Sequence, residues 1–100
     1  MRILRPGIKM ARVIVTLKVM PSDPSVDLDK ISKEAEKIIS DFEGTIMENT
    51  KQPIGFGLVA LHIKFNMDEN KGSTDPIEDL IKQTEGVESV EVIAISRAFG

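Results

Sequence analysis

The stretch LVALHIKFNM (residues 58–67) alternates between two kinds of side chain. Val59, Leu61, Ile63 and Phe65 fall on one side, and Leu58, Ala60, His62 and Lys64 on the other. An extended chain sends successive side chains to opposite faces, so this pattern predicts a strand with one buried face. Just upstream, QPIGFG (52–57) gathers a proline and two glycines into a turn signal, and TIMENTK (45–51) reads as a weaker strand before it. Residues 45–67 are therefore expected to form a hairpin.

Working outward, VIVTLKVM (13–20) alternates in the same way, with Val13, Val15, Leu17 and Val19 on one face. Pro21 and Pro24 end it. From Asp27, Leu28, Ile31, Ala35, Ile38 and Phe42 recur at steps of three and four, the stripe of a helix over 27–43, with Gly44 as its stop. Beyond the polar loop DENKG, Asp75-Pro76-Ile77-Glu78 combines an N-cap acid, a proline in first helical position and a glutamate in third. Ile77, Leu80 and Ile81 give this second helix an apolar side, and Gly86 closes it. VESVEVIAIS (87–96) supplies the last strand. The order βαββαβ predicts an α+β, ferredoxin-like sandwich: a four-stranded antiparallel sheet in the order 4-1-3-2 with both helices on one face.

Helices on one side leave the other side of the sheet bare. Strand parity assigns Ile14, Thr16, Lys18, Leu58, Ala60, His62, Lys64, Glu91, Ile93, Ile95 and Arg97 to that face. Ile14, Leu58, Ile93 and Ile95 are expected to form an apolar patch there, of the kind that marks a contact site. Such a patch leaves open a homodimer stacked sheet on sheet.

Composition narrows the chemistry. One hundred residues hold no cysteine and a single histidine, His62, which excludes disulfides, thiolate metal sites and histidine clusters. The net charge of −3 is divided: residues 21–43 and 73–86 carry eleven acidic and four basic residues, while the remainder is mildly basic. An acidic back and a basic sheet would orient the domain towards an anionic partner, although charged helices are also ordinary solvated faces. No apolar run approaches the ~18 residues of a membrane span, and MRILRPGIKM lacks a signal-peptide centre, so a soluble, cytoplasmic protein is expected. Met10-Ala11-Arg12 resembles an ordinary start, so residues 1–11 read as a disordered tail or an over-extended start ahead of one domain, 12–100. There is no phosphate-binding GxxxxGK[ST] loop, no calcium-loop spacing and no nucleophile patterned with His62. No active site, cofactor or metal is expected.

The question left is Phe56, set between Gly55 and Gly57. IGFGLVAL (54–61) resembles the RNP1 octamer of RNA-binding βαββαβ domains and lies on the strand where that octamer belongs. The chemistry differs: Ile54 stands at the cation position, and Leu58 and Ile14 stand where stacking rings belong. An RNA-binding module is the first alternative reading, followed by a small-ligand or dimerising regulatory domain.

Pro53-Ile54-Gly55-Phe56-Gly57 and its following strand resemble, more specifically, the P-I/V-G-F/Y-G motif of the guanine-nucleotide exchange domain of eukaryotic and archaeal elongation factor 1-beta. The similarity runs over residues 12–97 and takes in LKVMPSDPSVDL (17–28), the turn Gly72-Ser73-Thr74-Asp75, VESVEV (87–92) and the closing AISR (94–97). The short length is similar to the archaeal form. The resemblance implies a protein that binds the GTPase elongation factor 1-alpha and speeds GDP release, with no direct contact to nucleic acid or membrane. It implies that Phe56, mounted by Pro53, Gly55 and Gly57, contacts the GTPase away from the nucleotide. It further implies that Arg97, with Ile95 beside it, reaches the Mg²⁺ site, where the eukaryotic pattern has a lysine of different geometry. The expected topology puts Phe56 and Arg97 at opposite ends of the sheet, roughly 30 Å apart at about 3.3 Å per strand residue. That separation suits a two-point grip on a larger molecule and excludes a catalytic pair.

Overall fold

A computed structural model describes residues 12–69 and 73–98. Four strands, β1 (Arg12–Pro21), β2 (Thr45–Gly55), β3 (Leu58–Asp68) and β4 (Val87–Ala98), alternate with helices α1 (Leu28–Asp41) and α2 (Asp75–Lys82) in the order βαββαβ. The sheet runs β2-β3-β1-β4, the expected order read from its other edge, and every neighbouring pair is antiparallel. The expectations for residues 1–11 and for Gly72 lie outside the described residues.

The core is made by one face of β1 and β3 and by one stripe of each helix. Val15, Leu17, Val19, Leu61, Ile63, Phe65 and Met67 meet Ile31, Ala35, Ile39, Ile77 and Ile81, all buried. Each large aliphatic or aromatic side chain removed from water in this way stabilises the fold by about 1.5–3 kcal/mol. The buried line of α1 runs through Ile31, Ala35 and Ile39, with Leu28, Ile38 and Phe42 packing at its margins. The predicted stripe omitted Ile39 and gave its central place to Ile38. In α2 only Ile77 and Ile81 are buried, whereas Leu80 remains 43% exposed.

The helix ends differ from expectation in instructive ways. Asp27 caps α1 by accepting the backbone N–H groups of Asp29 and Lys30. At the other end Glu43, not Gly44, takes the left-handed conformation (φ 65°). The N–H of Glu43 donates to Ser40 O and that of Gly44 to Ile39 O, the paired bonds of a Schellman motif. Glycine is required at 44 for space: an added Cβ would lie 2.6 Å from Ile39 Cγ2 and 3.3 Å from Phe65 Cδ2. Helix α2 begins one residue early, with Thr74 rather than Asp75 at the N-cap, and Ser73 Oγ accepts the Asp75 N–H.

Register shifts decide which residues face the helices. Thr16 pairs with Ala94 and Leu17 with Val92, so Ile93 is an extra residue in β4, and Glu88 is another, between Val87 opposite Pro21 and Ser89 opposite Met20. In the same way Met47 and Ile54 are unpaired residues of β2 against β3. Each is a β-bulge, which shifts the parity of everything beyond it. The three apolar bulge residues are also among the exposed large apolar side chains, at 46%, 36% and 44% for Met47, Ile54 and Ile93.

Two expectations fail for this reason. Beyond Ile93, Ile95 lies opposite Val15 and Arg97 opposite Val13, on the helix side of the sheet and not on its open face. The expected patch of Ile14, Leu58, Ile93 and Ile95 therefore does not assemble. Ile14 sits between Asn66 and Ser96 at one end, and Leu58 pairs with Gly55 at the other. The open face is polar instead, and its lysines stand opposite glutamates: Lys18 pairs with Glu91 and Lys64 with Glu48. Opposite charges directly across strands support the sheet.

Candidate partner-binding surface

The β2–β3 hairpin reaches further than the sheet that supports it. Pairing of β1 with β3 stops at Val19 and Leu61, while β2 and β3 continue to Gly55 and Leu58. Phe56 and Gly57 form the two-residue turn, both at positive φ (55° and 77°), following Gly55 at 101°. Positive φ at both central residues is the type I′ arrangement, whose twist matches the flanking strands and which ordinarily takes Asn-Gly or Gly-Gly. A phenylalanine there is sterically disfavoured, because its Cβ crowds the backbone in the left-handed region. Burial does not compensate, since Phe56 is 99% exposed. Nothing lies within 4 Å of the Cβ position of Gly55, and only Pro24 approaches that of Gly57, at 3.8 Å.

The surroundings of the tip are fixed by short contacts. Ser25 donates both its N–H and its hydroxyl to Asp23 Oδ1, at 2.6 and 2.7 Å, which holds the Asp23 carboxyl below the ordinary aspartate range. Ser22 N–H donates to Gly86 O at 2.8 Å and ties this loop to the start of β4. Pro53 lies opposite Val59 on β2, an edge strand where a missing N–H is tolerated.

Sequence parity did not reveal what anchors the hairpin to the body. The bulge at Met47 places Asn49 and Lys51 on the helix side, opposite Ile63 and Leu61. Asn49 Nδ2 donates to Ser32 Oγ and to Glu36 Oε2 at 2.5 and 2.7 Å. Lys51 Nζ meets Asp29 Oδ1 at 2.8 Å, and this bond holds the Asp29 carboxyl below its ordinary range. Helix α1 thus grips β2 along its length. The visible clue was the absence of apolar alternation in TIMENTK, which a polar helix contact explains.

Arg97 lies at the other end of the sheet. It is level with Val13, which is level with Met67, nine residues along β3 from Leu58. The separation from the tip is roughly 30 Å at about 3.3 Å per residue. Arg97 Nη2 donates to Glu69 Oε1 at 2.5 Å, with 57% of the arginine side chain exposed. Ile95, two residues earlier, is 60% exposed. The described residues contain no group of three or more His, Asp or Glu that could hold a metal. They place no phenylalanine on the open face, where His62, opposite Lys18, is a lone ring: Phe65 is buried among the core residues, Phe42 packs beside them and Phe56 is at the tip. A base-stacking platform is therefore missing where an RNA-binding sheet carries one. No described helix is long and apolar enough to cross a membrane.

The chain is 33% identical to elongation factor 1-beta of Methanocaldococcus jannaschii over 89 residues, covering 89% of this chain and all of that protein. It is 38% identical to the elongation factor 1-beta of Methanothermobacter thermautotrophicus over 88% of this chain and 98% of that one. For the Hyperthermus butylicus protein of the same name the figure is 41%, over 88% and 96%. Among solved structures, the ACT domain of GTP pyrophosphokinase from Chlorobium tepidum superposes with a TM-score of 0.56 at 15% identity, over 80% of this chain and 96% of that one. The C-terminal domain of MgtC from Mycobacterium tuberculosis gives 0.54 at 13%, over 91% and 88%. These two likenesses concern the fold alone. The EF-1 guanine nucleotide exchange domain matches residues 14–98, and with relatives of this similarity along nearly its whole length, the chain belongs to that family.

Proposed function

We propose that the chain is a guanine-nucleotide exchange factor that promotes release of GDP from elongation factor 1-alpha in the cytoplasm, without making or breaking a covalent bond. Membership of the exchange-domain family supports the activity, and the name shared by its relatives supports the partner. The single observation that carries the reading is Phe56, a 99% exposed ring held on a strained turn. Strain without internal compensation is found where a residue acts on something outside its own fold.

In this mechanism Phe56 is an anchor. Buried aromatics dominate interface energies, and a ring carried on a backbone already set by a hairpin spares the cost of ordering that backbone on binding. Arg97 is the second point of the grip. A GTPase holds GDP through its phosphates and the Mg²⁺ that bridges them. A guanidinium brought to that region competes for the same anionic groups and weakens the hold of the metal. Each ~1.4 kcal/mol removed corresponds to about tenfold in affinity, so about 4 kcal/mol accelerates release on the order of a thousandfold.

The test is release of fluorescent GDP from elongation factor 1-alpha of the same organism, measured over a range of factor concentrations. The expected result is a saturable acceleration. Phe56→Ala is expected to raise the half-saturating concentration, and Arg97→Ala to lower the maximal rate. No acceleration at saturating factor overturns the proposal.

A further inference from the structure

Arg97 and Glu69 belong to parts of the chain that are not neighbours in the sheet. Arg97 is on β4, Glu69 directly follows β3, and β1 lies between those strands. The ion pair therefore reaches past the end of β1, on the side Arg97 shares with Val13. The contact uses one nitrogen, Nη2, of a planar group that carries five N–H donors. Glu69 is the better enclosed partner, with its side chain 31% exposed against 57% for Arg97.

We infer that Glu69 is a positioning residue for nucleotide exchange, holding the guanidinium of Arg97 by one N–H so that its remaining donors are aimed at an anionic group on the partner. This inference rests on the reading of Arg97 given above. An arginine at an exposed edge-strand position has a long stem with many rotamers, and a partner must otherwise freeze it on contact. A carboxylate from a separate strand end removes that freedom beforehand, and the fork geometry leaves the outer edge free for bidentate contact with phosphate or carboxylate. An exposed ion pair adds little to fold stability, so its loss leaves the protein folded and the effect is read in exchange.

The opposite outcome has a physical basis too: a carboxylate beside the guanidinium partly neutralises it, and its removal would then speed exchange. The experiment separates the two. GDP release from elongation factor 1-alpha is measured with the wild type, Glu69→Gln, Glu69→Asp, Arg97→Ala and the double variant Glu69→Gln/Arg97→Ala. Expected for Glu69→Gln is a maximal rate lowered about fivefold, a coupling typical of groups in one ion-pair network, at an unchanged half-saturating concentration. Glu69→Asp is expected to recover part of the rate. In the double variant the loss is expected to equal that of Arg97→Ala alone. A Glu69→Gln protein as fast as the wild type or faster, or a double variant whose losses multiply, overturns the role of Glu69 and leaves the exchange function standing. Inactive wild-type protein removes the function itself, and full activity of Arg97→Ala removes Arg97 and Glu69 together.

Discussion

Arg97 stands opposite Val13 across the β1–β4 pair, and that single register relationship turns the guanidinium to the helix side of the sheet, within reach of Glu69. Had β4 run on from Val90 without the bulge at Ile93, Arg97 would stand opposite Arg12 and face the open side. Directly opposed residues of an antiparallel pair have Cα atoms about 4.5–5.5 Å apart, inside the range a disulfide spans. The chain has no native cysteine, so an introduced pair reports without interference. Val13→Cys with Arg97→Cys is expected to crosslink on mild oxidation, and Arg12→Cys with Arg97→Cys, the pair that would be opposed without the bulge, is not. Crosslinking of the second pair in place of the first would show that the bulge at Ile93 is misplaced.

The packing at Gly44 gives a stability prediction. A methyl group there meets a methyl of Ile39 at 2.6 Å and the ring of Phe65 at 3.3 Å, and both side chains are fully buried. Neither can retreat without disturbing the core between α1 and the sheet. Gly44→Ala is expected to lower stability by about 1–3 kcal/mol, the range for overpacking, measured as a shift in urea midpoint. An unchanged midpoint would mean that the α1–β2 corner relaxes freely.

How far the sequence carried the architecture follows from which signals are local. Alternation in 13–20 and 58–67, the apolar stripe beginning at Leu28 and the start signals around Pro76 are set by neighbouring residues, and they yielded the elements and their order. The motif around Phe56 located the turn, although β2 continues to Gly55 and the turn itself is only Phe56-Gly57. What parity missed is the face of Ile95 and Arg97, because a bulge is a property of two strands in register and Ile93 carries no signal of its own. The pairing of Arg97 with Glu69 was invisible for a related reason: the residues are 28 positions apart and meet only once the topology is complete.

The Lys51–Asp29 contact predicts an acid-sensitive contribution to stability. Lys51 lowers the Asp29 pKa in the folded state, first by its hydrogen bond and then by its charge. A carboxylate with a depressed folded pKa contributes stability that is present above its unfolded pKa and is lost as pH falls through the folded value. Lys51→Ala is therefore expected to lower the urea midpoint slightly at neutral pH and to match the wild type in strong acid. A difference that stays constant with pH would assign the effect of Lys51 to packing of its aliphatic stem.

Phe56 sets stability against binding in the same residue. Its left-handed backbone is one that asparagine accepts readily, and Asn-Gly is the preferred pair for this turn. Because the ring is 99% exposed, replacing it removes no internal contact of consequence. Phe56→Asn is expected to stabilise the protein by about 0.5–1 kcal/mol in urea unfolding, through relief of the strained turn. The same change is expected to weaken binding to elongation factor 1-alpha by about 2 kcal/mol, or roughly thirtyfold, as for loss of an aromatic anchor. Titration calorimetry with the GTPase checks the second number. A variant that is more stable and binds as tightly as the wild type would show that the ring is an ornament of the turn; a variant that is less stable would show that the ring supports its own hairpin. Only the opposed pair, a gain in folding and a loss in binding, fits a side chain kept in a strained position for the sake of another molecule.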